Sequence, residues 1–233
     1  RKKNNFLKDK ITIVRYKNND SLTEKFSKIC DARLIWGGDK TINDLKLFKT
    51  SERSLDITFA DRYSFCIIDQ TKINKLNNNE LKVLIQKFYN DTYLVDQNAC
   101  SSPHLVIWTG KKNDNLKERF WNELYKLVKL KYNLTASAPF EKYNVLCKHV
   151  VNLNYILDVK KYENLIYKIK LKKLPSNNED YRGKWGLFFE YETDNLNKIK
   201  SLINNKYQTL TYYGIDKEKL KNLIFNNNLK GID

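Results

Sequence analysis

The residue with the most chemistry in its surroundings is Cys100, in the run Asp96-Gln97-Asn98-Ala99-Cys100-Ser101-Ser102-Pro103. A thiol attacks as the thiolate, which forms most readily where the side chain is partly exposed and surrounded by donors. Polar Gln97 and Asn98 precede the cysteine and two serines follow it. Pro103 cannot continue a helix, so a sharp break falls just after the sulfur. Backbone N–H groups at such a break also suit a developing oxyanion. No Cys-His-Asn protease pattern surrounds the thiol, and His104 opens the next apolar run instead of standing beside it. These local features alone leave Cys100 closer to a structural cysteine than to a nucleophile.

A second candidate is Gly37-Gly38-Asp39-Lys40-Thr41, where a strand pattern ends and a helix pattern begins. Backbone N–H groups at such a point can face a cofactor or phosphate, and glycine permits close approach. The run lacks both GxGxxG and the Walker ending, so alone it reads as an ordinary turn. The other thiols, Cys30, Cys66 and Cys147, are scattered on apolar patterns and read as core. With no CxxC pair and only His104 and His149 to add, no metal site is expected. His149 falls within a helix pattern, where a surface or core role outweighs that of an acid.

The elements that must position these groups alternate. Ile11–Val14, Ala32–Trp36 and Leu55–Phe59 read as strands, separated by a helix over Ser21–Cys30 and another opening at Asp39. Ser21 with Glu24 has capping-box spacing, and Asp39 is a cap for the second helix. Tyr63–Asp69 is a further apolar run. Leu81, Leu84, Ile85 and Phe88 then mark a helix that leads into the Cys100 segment, and His104–Trp108 is the strand that leaves it. Helices follow over Asn115–Tyr132 and Ala138–Ile156, then a strand over Ile166–Leu171 that alternates as if half-buried, and a polar loop over Pro175–Asp180. Leu187–Tyr191 and Gln208–Tyr213 read as strands, Asn195–Asn205 and Lys217–Asn228 as helices. Strand–helix alternation of this kind implies parallel pairing through crossover helices. The expected boundary lies near Asp61, giving domains over 1–61 and 62–233.

Composition narrows the class. The apolar fraction of 41% supports a core, and no run approaches the length of a membrane helix. Neither a signal-peptide pattern nor a disulfide framework is present, so a cytoplasmic protein without a membrane span is the expectation. The missing initiator Met points to an internal piece of a longer chain. The formal charge of +16 would suit a phosphate-bearing partner, but the lysines are dispersed and accompanied by abundant Asn, so no nucleic-acid partner is expected.

Four segments in order change the weight on Cys100: Arg33-Leu34-Ile35-Trp36-Gly37-Gly38-Asp39-Lys40-Thr41-Ile42, Phe59-Ala60-Asp61-Arg62-Tyr63-Ser64-Phe65, the Cys100 octapeptide, and Gln208-Thr209-Leu210-Thr211-Tyr212-Tyr213-Gly214. Together they resemble the LuxC-type acyl-CoA reductases, the fatty-acid reductases of the aldehyde dehydrogenase superfamily. The resemblance implies an α/β, aldehyde-dehydrogenase-like fold. Residues 1–61 would be the C-terminal part of a Rossmann-type dinucleotide-binding domain and residues 62–233 the catalytic domain.

It further implies that Cys100 takes an acyl group from acyl-CoA or an acyl-carrier protein, and that NADPH reduces the resulting thioester to a fatty aldehyde. The Cys100 N–H would hold the oxyanion with help from Asn98 or Ser101. The turn of Gly37, Gly38, Asp39 and Thr41 would lie near the cofactor. Oxidising relatives carry a glutamate base where this sequence, aligned on the serine, has Phe59. Lacking that base, water is poorly activated and reduction is favoured over hydrolysis. If the alignment slips by a residue, Asp56 or Asp61 becomes the candidate base. Other readings are a CoA-acylating short-chain aldehyde dehydrogenase, a Cys-dependent acyltransferase or thioesterase, and a basic nucleic-acid-binding module. A homo-oligomeric full-length protein stays open.

Overall fold

The computed structural model describes residues 10–17, 19–200 and 203–225, and the chain divides into two compact units, Arg1–Asp61 and Arg62–Asp233. In the first unit, residues 11–17 have no regular structure, and Ile11, Ile13 and Val14 are exposed. The strand expected there does not form. Among the described residues the unit's sheet consists of β1 (Ala32–Trp36) and β2 (Leu55–Phe59), so that run has no ladder partner there. Helix α1 (Asp20–Ile29) is capped by Asn19, whose side chain accepts the Leu22 N–H. Asn19 pre-empts Ser21, and Glu24 pairs with Lys28 at 2.8 Å instead of closing a capping box. Helix α2 (Asp39–Lys46) carries the chain between β1 and β2, which pair in parallel from Ala32↔Leu55 to Trp36↔Phe59.

Arg33 ties this unit together. Its guanidinium grips both oxygens of Asp56, at 2.7 and 2.6 Å, and also reaches Ser27 Oγ and the carbonyls of Leu45 and Phe48. The planar fork suits such a bidentate bond. The bond also holds the Asp56 carboxyl below its ordinary range.

The second unit is built on β3 (Tyr63–Asp69), α3 (Gln70–Ile73), α4 (Asn78–Thr92), β4 (Pro103–Thr109), α5 (Asp114–Lys131) and α6 (Ala138–Asn152). It continues through β5 (Ile156–Tyr162), β6 (Ile166–Leu171), β7 (Leu187–Glu192), α7 (Asn197–Lys200), β8 (Tyr207–Tyr213) and α8 (Lys217–Phe225). The six strands lie in the order β5-β6-β7-β4-β3-β8, all parallel except β5. Every residue of β4 is buried, as befits a strand covered on both faces. Phe65, Ile67, Leu105, Ile107 and Phe189 pack on one side of the sheet. Ile68, Val106, Trp108 and Phe188 pack on the other with α4 and α5 residues such as Phe88 and Trp121.

Several expectations need correction. The helix predicted to run to Ile156 ends at Asn152, and β5 follows as an antiparallel edge strand. Strand β6 is buried on both faces, not half-buried. Its Lys168 is enclosed between Glu118 at 3.1 Å and Glu190 at 3.5 Å, and Glu190 also accepts both indole N–H groups of Trp108 and Trp121 at 2.7 Å. The polar 175–180 loop buries Asn178 and Glu179. Cys66 is buried and Cys30 half-buried, but Cys147 is exposed and not core. The helix expected over 195–205 is described only as the short α7, with residues 201 and 202 outside the described residues, as are the last three of Lys217–Asn228. Among the described residues no helix is long and apolar enough to cross a membrane.

Candidate active site

The segment that carries Cys100 is shaped by an abrupt end to α4. After Thr92 the chain makes a short 3₁₀ turn, Tyr93–Val95, and then two consecutive residues with positive φ, Asp96 at 54° and Gln97 at 59°. Neither is glycine, so each is strained by on the order of 1 kcal/mol or more, and such strain persists only where neighbours over-determine it. They do so here. Tyr132 OH donates to Asp96 Oδ1 at 2.5 Å, Trp185 N–H to Asp96 O at 3.1 Å, and Gln97 N–H to Thr92 O at 2.7 Å. The Gln97 side chain, only 1% exposed, donates to the carbonyls of Pro103 and Leu187, both at 3.0 Å, and accepts from Gly186 N–H at 3.1 Å. One amide thereby joins the stretch before the cysteine, the start of β4 and the start of β7.

Cys100 is half-buried in the turn that follows, closed by Ser102 N–H to Ala99 O at 2.9 Å. Its carbonyl accepts the Ser64 hydroxyl at 2.6 Å, and Ser64 Oγ in turn accepts Thr209 N–H from β8 at 3.2 Å. The β3 pairing slips by one residue at Ser64, against both β4 and β8. Such an irregularity at the rim of a sheet re-aims a side chain. The Asn98 N–H is taken by Val95 O, whereas among the described residues no protein acceptor takes the Cys100 N–H. Asn98 and Ser101 are exposed on the same turn. The thiol therefore stands at the N-terminal ends of parallel strands, opposite the edge where open α/β sheets ordinarily bind ligands.

Both histidines are buried and held towards the neutral form. Burial pulls His104 down to about 3, and burial also lowers His149, whose Nε2 meets Arg182 O at 2.9 Å.

In the first unit Gly38 is the N-cap of α2 and offers no side-chain cap; Asp39 is the first helical residue, not the cap. A Cβ on Gly37 would come within 3.1 Å of the Thr41 side chain, and one on Gly38 within 3.0 Å of Asp61 Oδ2, so a larger residue at either position would press on these side chains. Asp39 and Thr41 are exposed, and no side chain of the N-cap residue bonds the start of α2, a kind of helix start that can receive a phosphate or carboxamide oxygen. Phe59, which ends β2, stacks on Trp36 at 4.6 Å and takes no proton. Asp56, the alternative base, has both oxygens on Arg33.

Sequence reasoning singles out Cys100 and the break after it, but not Ser64, the Gln97 amide or the Trp185–Gly186 turn. Asp96 is a residue type that favours positive φ, but Gln97 is not, and nothing local marks the other residues.

Residues 2–138 match the family described as acyl-CoA reductase (LuxC); the segment Gln208–Gly214 lies beyond that span. Comparison with curated proteins gave no match. Among solved structures the chain resembles aldehyde dehydrogenase 21 from Physcomitrella patens, in complex with the product succinate (13% identity, TM-score 0.62, 92% of this chain and 46% of that one). It also resembles the NADP-dependent glyceraldehyde-3-phosphate dehydrogenase from Bacillus halodurans, complexed with NADP (12%, 0.60, 91% and 46%). A third similar structure is the NAD-dependent benzaldehyde dehydrogenase from Corynebacterium glutamicum (10%, 0.58, 91% and 49%). The fold is that of the aldehyde dehydrogenases, and the chain spans about half the length of these structures.

Proposed function

The chain belongs to the acyl-CoA reductase (LuxC) family, and on that premise we propose that Cys100 accepts the acyl group of a fatty acyl-CoA, or of an acyl-carrier protein, as a thioester that is then reduced to the aldehyde with NADPH. One observation carries this reading: a half-buried thiol on a turn fixed by Ser64 and Gln97, whose own N–H meets no protein acceptor among the described residues.

Cys100 attacks as the thiolate. Its sulfur bonds to the acyl carbon, the carbon–sulfur bond to the donor breaks, and the departing thiolate takes its proton from solvent. A thiolate is as good a nucleophile as the thiolate it displaces, whereas a serine hydroxyl stays protonated at neutral pH and is a weak nucleophile. The Cys100 N–H holds the developing oxyanion, with Asn98 or Ser101 as second donor. Phe59 offers no base to water, so the acyl-enzyme persists. Gly37, Gly38, Asp39 and Thr41 would hold part of NADPH, which when bound would supply the hydride to the acyl carbon. The Cys100 thiolate then leaves again as the aldehyde departs. In this reading residues 1–61 contribute part of the dinucleotide-binding domain and residues 62–233 carry the nucleophile.

The test is intact-mass measurement after incubation with a fatty acyl-CoA, followed by peptide mapping. One acyl group should appear, on Cys100, and be absent from Cys100→Ser. Label on the exposed Cys147 instead, or label that survives the substitution, would defeat the reading. Rapid loss of the label in buffer without a nicotinamide would favour a thioesterase.

A further inference from the structure

Lys142 on α6 is fully buried without a carboxylate partner among the described residues. Its ammonium donates to Asn164 O at 2.5 Å and to Trp185 O at 2.8 Å, and lies 4.5 Å from the centre of the Tyr167 ring. Burying an ammonium without a counter-ion is costly, and an apolar side chain of similar length would fill the space at lower cost. What the lysine holds is unusual in itself. Trp185 and Gly186 are consecutive residues with positive φ, 52° and 85°, and a bulky side chain in that region is an outlier. This pair is bonded back to back with the other left-handed pair: Trp185 N–H donates to Asp96 O, and Gly186 N–H to the Gln97 side chain. Lys142 thus grips the carbonyl of the residue whose amide grips the stretch leading to Cys100.

We propose that Lys142 is a positioning residue for the nucleophile, setting the Asp96–Cys100 stretch through the Trp185–Gly186 turn, and that acyl transfer to Cys100 follows its charge. The proposal rests on the reading of Cys100 as the acyl acceptor. Protonated, the amine makes charge-assisted bonds about twice as strong as neutral ones. Burial brings Lys142 down to about 7, so that grip weakens near neutrality. The ionisable groups around it do not replace the charge. Lys161 sits 5.0 Å from the same Tyr167 ring and 4.6 Å from that of Tyr143. Glu163, beside Asn164, is paired with Lys129, and Lys184 lies against the Trp185 ring.

The experiment compares the chain with Lys142→Met between about pH 6 and 9, a range spanning the titration. Two rates are followed: acyl transfer to Cys100 from a fatty acyl-CoA, and iodoacetamide alkylation of Cys100 relative to the exposed Cys147. The substitution should slow acyl transfer about tenfold at the acid end, the equivalent of one charge-assisted bond. The unsubstituted chain should show a break near pH 7 in both readouts that Lys142→Met lacks. Acyl-transfer rates within about twofold, with the same pH profile, would overturn the proposal. If the variant does not fold, the unsubstituted chain decides: no break near pH 7 in the Cys100/Cys147 alkylation ratio also overturns it. Failure of Cys100 to take any acyl group would instead defeat the proposed function, while the alkylation ratio still reports on Lys142.

Discussion

Gln97→Ala tests whether one buried amide holds the Cys100 turn. The substitution removes two donated bonds, to Pro103 O and Leu187 O, and one accepted from Gly186 N–H. A net contribution of about 1 kcal/mol for each gives roughly 3 kcal/mol. The three backbone groups left unpaired at a site only 1% exposed make this a lower figure, unless water enters. Positive φ is no easier for alanine, so no relief of strain offsets the loss. Against a total stability of about 5–15 kcal/mol, this is a large fraction. With a urea slope of about 2 kcal/mol/M, the midpoint should fall by about 1.5 M. Fluorescence of the buried Trp108 and Trp121 reports the transition of the unit concerned. Gln97→Glu should be worse than alanine, because it presents an oxygen to two carbonyls where an NH₂ stood. A midpoint shift under about 0.3 M for the alanine variant, or a glutamate variant as stable as the parent, would refute the argument.

Ser64→Ala frees the Cys100 carbonyl and one β8 amide, and should slow acylation of Cys100 by about tenfold while leaving Cys147 alkylation unchanged. Glu190→Leu leaves two indole N–H groups unpaired and strips Lys168 of one carboxylate, for an expected loss of about 3–5 kcal/mol by urea unfolding. Lys142 carries a pH signature of fixed sign. Its pKa is lowered to about 7 in the folded chain against 10.5 as the ordinary value, so the unfolded chain binds more protons between those limits. The cost of burying its charge is fully present below about pH 7 and is relieved as pH rises towards 10.5. The stability of the parent relative to Lys142→Met should therefore increase between about pH 7 and 9, and a constant difference would contradict it.

Strands β1 and β2 came out of the sequence to the residue because apolar, branched runs bounded by turn formers leave little choice. Helix α4 was equally legible from its 3.6-residue spacing. Strand β5 was hidden because Ile156 and Val159 stand three apart and extend the helical pattern of α6, although only pairing with β6 makes that segment a strand. Cys147 was misread for a related reason. The buried stripe of α6 is Ala138, Lys142, Leu146 and His149, which places the cysteine outward and a lysine inward, against every composition rule. At the candidate site, the break at Pro103 is a local property and could be read. The bonds that fix the turn join residues far apart in sequence, 36 positions for Ser64 and Cys100 and 90 for Gln97 and Leu187, and no local pattern encodes them.

That same separation has a consequence for how the site comes into being. Contacts of long sequence separation form late, because the loop between them must be closed first. The turn around Cys100 is fastened to Gly186 and Leu187, at the entrance to β7, so its geometry cannot be complete before that strand docks beside β4. During synthesis the bonds from the Gln97 amide to Gly186 and Leu187 cannot form until some ninety further residues have emerged and folded back. On the proposed reading of Cys100, the nucleophile would reach its final setting only when the sheet has closed across β4 and β7.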